Sequence, residues 1–326
     1  MKKTYFETYI GKWDECHKKL LEHIQIIYDL QHKIAKVIDK DEKKILKDEK
    51  ALKLEKAKEE TGWSFLEGDH DDEIGKLGNE YPSYRYFPEP YYCKELNKPI
   101  NLIFININPY TGGPLQDIGS STRDEDLYNS KKYSEIIPNY LQKKNPSPKK
   151  FFNKRLSWAK SLFQTKEEIN ILCADIVPWH TKKSNGIADY ISNEENLKTI
   201  KETVLTPLMN ISKIVAQFNG ISMQNKIIVR GVPFRNVINA LFPKDKPNIK
   251  EKYIKNYIIL KSNGTIEEFI SMLTVITINN KKTDYKWYLF TGGSSNDLPL
   301  LEDEYQVYSV NEKEINVKSL RSFLLE

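Results

Sequence analysis

The sequence predicts an α/β protein: a three-layer αβα sandwich with a mainly parallel four-stranded sheet, plus an N-terminal helical extension. The first observation is a set of four short apolar runs bounded by turn residues, which are typical of strands buried on both faces of a sheet. These runs lie at residues 100–107, 169–177, 226–231 and 285–290. The second observation is that helical patterns separate several of the runs, as crossover connections between parallel strands require. The third is a helical repeat of apolar side chains that begins at residue 13.

The N-terminal segment predicts two helices, broken near residues 39–41. Its first part repeats apolar residues at steps of three and four, and its second part, residues 39–60, is mostly Lys, Glu and Asp. Because charge runs usually face solvent, a solvated extension is the favoured interpretation. The alternative is an arm that binds a protein partner or clamps DNA. We place the domain boundary after this region, with residues 1–75 as the helical extension and residues 76–326 as the α/β domain.

Composition and charge restrict the class of protein and its cellular location. The 326 residues carry a formal net charge of +5, which does not by itself predict nucleic-acid binding. The three cysteines are far apart and fit neither a disulfide framework nor a metal site. No run approaches the roughly 18 apolar residues of a membrane span, and the first residues lack the apolar core of a signal peptide. We therefore expect a cytoplasmic protein.

The first strand ends in a polar residue that is followed by a turn. Asn108 stands where the apolar run stops, and a turn with two prolines and two glycines occupies residues 109–114. In open α/β sheets, ligands bind outside the carboxyl ends of the strands. Asn108 is therefore the first candidate for function.

The second strand also ends in a candidate residue. Asp175 is the one acidic residue of its apolar run, and a buried carboxylate without a partner is costly. Its carboxylate either contacts a ligand or accepts hydrogen bonds from nearby backbone amides, and the sequence favours neither interpretation. His180 follows in the loop at the same edge of the predicted sheet.

A basic segment with interleaved aromatic residues spans positions 143–155. It contains Lys149, Lys150 and Lys154, and it ends at Arg155. Basic side chains neutralise phosphates, and aromatic rings stack on unpaired bases. The segment therefore predicts a DNA-binding surface.

The remaining two strands end in further candidates. The third run ends at Arg230 and a glycine, and the fourth is followed by a glycine- and serine-rich loop. That loop contains Ser294, Ser295, Asn296 and Leu298. Residues 243–282 are lysine-rich and less regular, and no strand is predicted there.

Four segments at the ends of the runs carry a family resemblance. They are Ile107-Asn108-Pro109, Ala174-Asp175-Ile176-Val177-Pro178, Val229-Arg230-Gly231-Val232-Pro233-Phe234 and Gly292-Gly293-Ser294-Ser295. In order and position they resemble the motifs of the uracil-DNA glycosylase superfamily, and are most similar to its single-strand-selective and thymine/mismatch branches. The resemblance covers residues 86–310.

This resemblance implies a monofunctional DNA glycosylase. Such an enzyme flips a nucleotide out of the stack and hydrolyses its N-glycosidic bond, here without a metal or organic cofactor. The resemblance implies that Asn108 orients the attacking water and that His180 stabilises the departing base, alone or with the Ser294 and Ser295 amides. It further implies base contacts at Asp175, Pro109 and Tyr110, and DNA contacts at Arg230, Ser294, Ser295, Asn296, Lys149, Lys150 and Lys154. Leu298 is the predicted wedge in the vacated stack, with ordinary loop packing as its alternative.

One departure from the family pattern predicts the base. Asp175 stands where the single-strand-selective branch has an asparagine that reads the flipped base. An ionised carboxylate only accepts hydrogen bonds, which suits an exocyclic amine such as that of cytosine and not the O4 of uracil. We therefore expect a modified cytosine as substrate. By analogy, we expect the biological role to be defence against phage whose DNA contains modified bases. A protonated Asp175 would behave like an amide and would restore uracil.

Two other classes of function fit the same residues. The fold could bind modified or single-stranded DNA without cutting it. An unrelated doubly wound protein could instead cradle the phosphate of a nucleotide at residues 292–295.

Overall fold

The computed structural model describes most of the chain. The described residues are 4–61, 89–106, 132–142, 147–178, 193–231, 251–262, 267–280, 283–291, 298–310 and 318–326. The chain divides into two compact units. The first contains residues 1–90, 108–148 and 177–204, and the second contains residues 91–107, 149–176 and 205–326. The predicted domain boundary at residues 75–76 lies outside the described residues.

The described residues form helices and one sheet. The helices are α1 (Tyr5–Lys36), α2 (Lys40–Thr61), α3 (Tyr133–Gln142), α4 (Ser147–Phe163), α5 (Glu194–Ile200), α6 (Thr206–Ser212) and α7 (Leu320–Leu325), with a π-helical segment at Lys201–Leu205. The strands are β1 (Tyr91–Tyr92), β2 (Leu102–Asn106), β3 (Ile171–Asp175), β4 (Lys226–Arg230), β5 (Glu251–Ser262), β6 (Glu267–Asn280), β7 (Thr283–Thr291), β8 (Tyr305–Ser309) and β9 (Lys318–Ser319).

The two predicted N-terminal helices are present, and local hydrogen bonds explain where they begin. Thr4 and Glu7 form a reciprocal capping box at the start of α1. The Asp39 carboxylate accepts from the amides of Asp41 and Glu42 at 3.0 and 2.8 Å, which starts α2. The break between the helices therefore falls at residues 37–39, close to its predicted place.

In the first unit, α1 packs against both α2 and α3. His23 Nε2 and Glu60 Oε2 lie 2.8 Å apart and join α1 to α2, which makes the pair a helical hairpin. The Asp14 carboxylate accepts hydrogen bonds from the Ser134 amide and hydroxyl at 2.8 and 2.6 Å, and so joins α1 to α3. The buried face of α3 is Tyr133, Ile136, Ile137, Tyr140 and Leu141.

The second unit contains the sheet, whose strand order is β1-β3-β2-β4-β7-β6-β5-β8-β9. The four predicted strands are β2, β3, β4 and β7, and all of their pairings with one another are parallel. The prediction of a four-stranded, mainly parallel sheet is nevertheless wrong in extent. Five further strands pair in antiparallel fashion, so the sheet formed by the described residues is mixed and has nine strands.

The missed strands β5 and β6 have a physical explanation. Burial alternates along β6, where Ile276 and Ile278 are buried while Val275 and Thr277 are only half-buried. Antiparallel strands can have one face in contact with solvent, so they do not need the continuous apolar run by which the parallel strands were recognised.

The predicted crossover helix at residues 196–219 is also shorter and less regular than expected. It consists of α5, the π-helical segment and α6, and it ends at Ser212. Pro207 has no amide hydrogen to donate and lies in the first turn of α6, so a regular helix cannot continue through it.

Two features of the second unit fix the strands around the candidate site. Trp158 of α4 packs edge-on against Phe104 of β2 and Phe290 of β7, with ring centroids 5.7 and 6.5 Å away. We call the sheet face with these two rings the α4 face. At the amino end of the parallel strands, the Asn170 amide donates to Asn101 Oδ1 at 3.0 Å, which helps to hold β2 and β3 in register.

Candidate functional site

The strand order places a topological switch point between β2 and β4. From β2, the chain passes to β3 on one side and later to β4 on the other side. In open α/β sheets, ligands bind outside the carboxyl ends of the strands at such a point. The residues that end the strands here are Asn106 on β2, Arg230 on β4 and Asp175 on the neighbouring β3.

The register places these three residues on one face of the sheet. Asn106 is aligned with Asp175, and Phe104 is aligned with Ile228, which lies two positions before Arg230. Since residues two apart along a strand share a face, all three lie on the α4 face. We call Asp175, Asn106 and Arg230 the switch-point row.

Asp175 is buried, with 4% of its surface exposed, and it has interaction partners. The amide of the next residue, Ile176, donates to the Asn106 carbonyl at 3.0 Å, so the backbone of β3 is bound to β2 up to this point. Nearby charges act on Cys173, which lies two positions earlier on the same face. Burial raises the pKa of the Cys173 thiol, with an opposing contribution from Arg155 and a further increase from Asp175. Asp175 therefore contributes negative charge to a largely dry part of the site.

Asn106 is half-buried and was not among the site residues predicted from the sequence. Its side-chain Nδ2 lies 3.4 Å from the Ala174 carbonyl oxygen, which is a long hydrogen bond. Among the described residues, no donor reaches its Oδ1. A signal was present in the sequence, because Asn106 interrupts the apolar run two residues before Asn108. The alignment with Asp175 depends on the strand register, which the sequence does not give.

Arg155 differs from the sequence-based interpretation. It was included in the basic segment predicted to meet DNA, but its side chain is only 3% exposed. The guanidinium carbon lies 4.7 Å from the centre of the Phe151 ring, in cation–π geometry, and the residue has further partners. Its position on the inner side of α4 removes it from the set of phosphate contacts. Lys154, one position earlier, is exposed.

Arg230 is half-buried at the end of β4. The next residue, Gly231, has a φ of 136°, a value that favours glycine, and its amide donates to the Phe290 carbonyl at 3.2 Å. This hydrogen bond extends the pairing of β4 with β7 by one residue and holds Arg230 at the sheet edge.

The other predicted site residues divide into two groups. Leu298 is buried, with 7% exposed, beside Pro299, whose carbonyl accepts from the Trp158 indole at 2.8 Å. The wedge role of Leu298 stays a prediction, and it requires the side chain to leave this packing. The predicted residues Asn108, Pro109, Tyr110, His180, Ser294, Ser295 and Asn296 lie outside the described residues, as do the side chains of Lys149 and Lys150.

The described part of the chain contains neither a membrane-spanning helix nor a cluster of metal ligands. No helix there is both long and apolar enough to cross a membrane. No group of three or more His, Cys, Asp or Glu side chains there could hold a metal ion.

Comparison with known proteins gave no match. No family model matches the chain, and neither a curated protein nor a solved structure is similar to it. The resemblance to the uracil-DNA glycosylase superfamily therefore depends on the sequence motifs alone.

The geometry contributes a polar row of one carboxylate, one amide and one guanidinium. Such a row can hold a ligand that has hydrogen-bond donors and a negative charge.

Proposed function

We propose that the protein is a DNA glycosylase with a three-layer αβα fold. Its substrate is a base with an exocyclic amine, and we favour a modified cytosine. The observation that carries this proposal is the switch-point row, with a buried carboxylate beside the edge where α/β proteins bind ligands. A base with an exocyclic amine donates to Asp175, which is the pairing expected between a carboxylate and cytosine. Arg230 supplies a positive charge for a phosphate next to the flipped nucleotide.

Hydrolysis requires the base to leave the stack, at a cost of a few kcal/mol. Binding of the flipped base by Asp175 offsets part of this cost and fixes the sugar relative to the end of β2. Asn108, two positions after β2, orients the attacking water. His180 and the amides of Ser294 and Ser295 supply donors to the base as it departs with negative charge.

Helix α4 supports the DNA-binding part of the proposal. Lys154 is exposed on one side of α4, and Lys150 lies four positions earlier in the same helix. The exposed Ser157 and Ser161 continue that side, while Arg155 and Trp158 lie on the buried side. This arrangement supports contact with a phosphate backbone along one side of α4.

The direct test is an abasic-site assay on oligonucleotides that contain uracil, cytosine or a 5-substituted cytosine. We expect the wild type to release the 5-substituted cytosine in preference to uracil. Asp175→Asn should reverse this preference, because an amide offers both an acceptor and a donor to uracil. Asp284→Asn, which changes an exposed carboxylate at the start of β7, is the matched control and should behave as the wild type. Wild-type activity that is highest on uracil would overturn the assignment of the base.

A non-catalytic binder is the second candidate. Gly292 stands where several branches of the resembling family carry a histidine that stabilises the leaving base. Without that histidine, the same site would bind a modified base and leave the glycosidic bond intact. Base-dependent binding of the oligonucleotides without abasic product would identify this function.

A further inference from the structure

We propose that Arg155 is a positioning residue for the candidate site: its buried guanidinium supplies the positive charge that keeps the Asp175 carboxylate ionised. This inference deepens the proposed function, on which it rests for the base that Asp175 contacts. It decides between the two protonation states of Asp175, because an ionised carboxylate selects an exocyclic amine whereas a protonated one would accept uracil.

Arg155 and Asp175 are the buried charged residues near the carboxyl ends of the parallel strands. They are 3% and 4% exposed, and Lys226, the other buried charged residue that the structure describes in the second unit, lies at the start of β4. A buried ion is strongly destabilising unless an opposite charge lies nearby. Asp175 is the one buried acid described in this unit. The two residues therefore suit each other as counter-charges.

The direction of α4 places Arg155 towards the carboxyl ends of the strands. At the C-terminal end of α4, the Leu162 carbonyl accepts from Arg321 Nε of α7 at 2.9 Å, and α7 also binds the first residue of β4. Helix α4 therefore runs antiparallel to the parallel strands. Arg155 is three residues before Trp158, which is about 4.5 Å along the helix axis and on the same side. Since Trp158 packs on Phe104 in the middle of β2, Arg155 lies over the sheet between that ring and the strand ends.

The thiol of Cys173 shows that both charges reach the same part of the α4 face. Cys173 is buried two residues before Asp175 and on the same face of the sheet. Burial raises the pKa of this thiol most, the positive charge of Arg155 lowers that pKa, and the negative charge of Asp175 raises it. Two opposite charges that both act on one buried atom also attract each other, and in a dry site this attraction favours the ionised carboxylate.

The other ionisable groups described on this face, beside Asp175 and Cys173, leave that conclusion unchanged. Arg230 at the end of β4 has the same sign of charge as Arg155 and acts in the same direction. Tyr92 of β1 is aligned with Cys173 and is 3% exposed, and a phenol is uncharged at neutral pH. An ionised carboxylate has about four acceptor sites, so a guanidinium nearby leaves room for the amine of a base.

A double-mutant cycle on thermal stability tests the charge pairing without DNA. Arg155→Met and Asp175→Asn should each lower Tm, because each change leaves a buried charge without its counter-charge. The double variant should melt a few degrees above Arg155→Met, since both charges are then absent. Lys160→Met is the matched control on α4, because it removes a lysine whose Nζ lies 3.9 Å from Glu168 Oε1, and its effect should add to that of Asp175→Asn.

Two results of this cycle would overturn the inference. One is that the effects of Arg155→Met and Asp175→Asn simply add, as the control does. The other is that Arg155→Met fails to fold and the double variant fails in the same way, because removal of the second charge should restore folding.

A pH profile of base preference tests the ionisation itself. Binding of oligonucleotides with one 5-hydroxymethylcytosine or one uracil is measured by fluorescence anisotropy between about pH 6 and pH 8. The wild type should prefer the cytosine equally across this range. Arg155→Met should lose about tenfold of that preference at the acidic end, where the buried carboxyl takes up a proton, and Arg155→Lys should restore it. A preference in Arg155→Met that is as large and as independent of pH as in the wild type would also overturn the inference.

The two measurements separate this inference from the proposed function. Non-additive stability of Arg155→Met and Asp175→Asn, with a wild type that does not distinguish the two bases, supports the charge pairing and contradicts the proposed function alone. Additive stability with an intact base preference overturns the charge pairing and leaves the proposed function in place.

Discussion

Lys226 lies at the start of β4, at the end of the strand away from the candidate site. Its side chain is buried, with 9% exposed, and Nζ donates to the Leu324 carbonyl of α7 at 3.0 Å. The pKa of Lys226 is lowered from 10.5 to about 8, chiefly by burial and then by the nearby charge of Lys286, with Glu326 opposing both. The unfolded chain therefore holds this proton more tightly than the folded protein does.

The sign of the resulting pH dependence follows from linkage. Between pH 8 and 10.5 the unfolded state binds more protons than the folded state, so this group makes stability rise with pH in that window. Below pH 8 the full cost of the buried charge is present. We expect Lys226→Met to remove this contribution, so that Tm measured from pH 7 to pH 10.5 rises less, or falls more, than in the wild type. Lys166→Met, at an exposed lysine, is the control. A pH profile unchanged in Lys226→Met would contradict the assignment.

Tyr140 provides a second test at the scale of one residue. Its hydroxyl is buried in the first unit and has no hydrogen-bond partner among the described residues. Burial, and then the negative charge of Glu89, raise the pKa of this phenol. A buried hydroxyl without a hydrogen bond costs about 1–3 kcal/mol.

Tyr140→Phe should therefore stabilise the protein, with a rise in Tm of a few degrees. Tyr9→Phe is the matched comparison, because the Tyr9 hydroxyl donates to the Pro90 carbonyl at 3.3 Å, and this change should lower Tm. Calorimetry on the two variants measures both effects. A lower Tm for Tyr140→Phe would show that its hydroxyl is bonded.

At the scale of an element, α4 has the exposed residues Lys154, Ser157 and Ser161 on one side and core residues on the other. If about four phosphates are neutralised, log K should fall against log salt with a slope of about −3 to −4. Changing Lys149, Lys150 and Lys154 together to glutamine should flatten that slope by about two to three. The control changes Lys12, Lys18 and Lys33 of α1, which removes the same charge from another surface. If only the control flattens the slope, DNA lies along α1 and not along α4.

The sequence predicted the parallel strands well because burial on both faces leaves a continuous apolar run. It did not predict β5 and β6, because these strands pair in antiparallel fashion and polar residues interrupt their apolar runs. The candidate site shows the same limit. Asp175 could be predicted, since an acidic residue in an apolar run is conspicuous. The position of Asn106 beside Asp175 could not, because it depends on alignment with a strand about 70 residues away. The burial of Arg155 depends on which side of α4 meets the sheet.

At the scale of the whole molecule, the two units are interleaved along the chain. The first unit combines the N-terminal helices with two segments, residues 108–148 and 177–204, that the sequence analysis placed in the α/β domain. In that unit α1 covers part of α3 through the Asp14–Ser134 hydrogen bonds and through the His17 and Tyr133 rings, 6.3 Å apart. Helix α1 therefore belongs to the hydrophobic core of this unit, to which it contributes buried residues such as Tyr9, Trp13 and Leu20.

This packing predicts the effect of deleting residues 1–61. The deletion would remove the helix that packs against α3 and uncover the ring of Tyr133, and newly exposed apolar patches cause association. We expect the remaining chain to bind the dye ANS and to elute as aggregates in size-exclusion chromatography with light scattering. The control is the full chain with Ile45→Ser and Leu52→Ser, two α2 side chains that are 66% and 72% exposed, and it should stay monodisperse. A deletion variant that is monodisperse, free of ANS binding and native in near-UV circular dichroism would show instead that α1 and α2 are a dispensable, solvated extension.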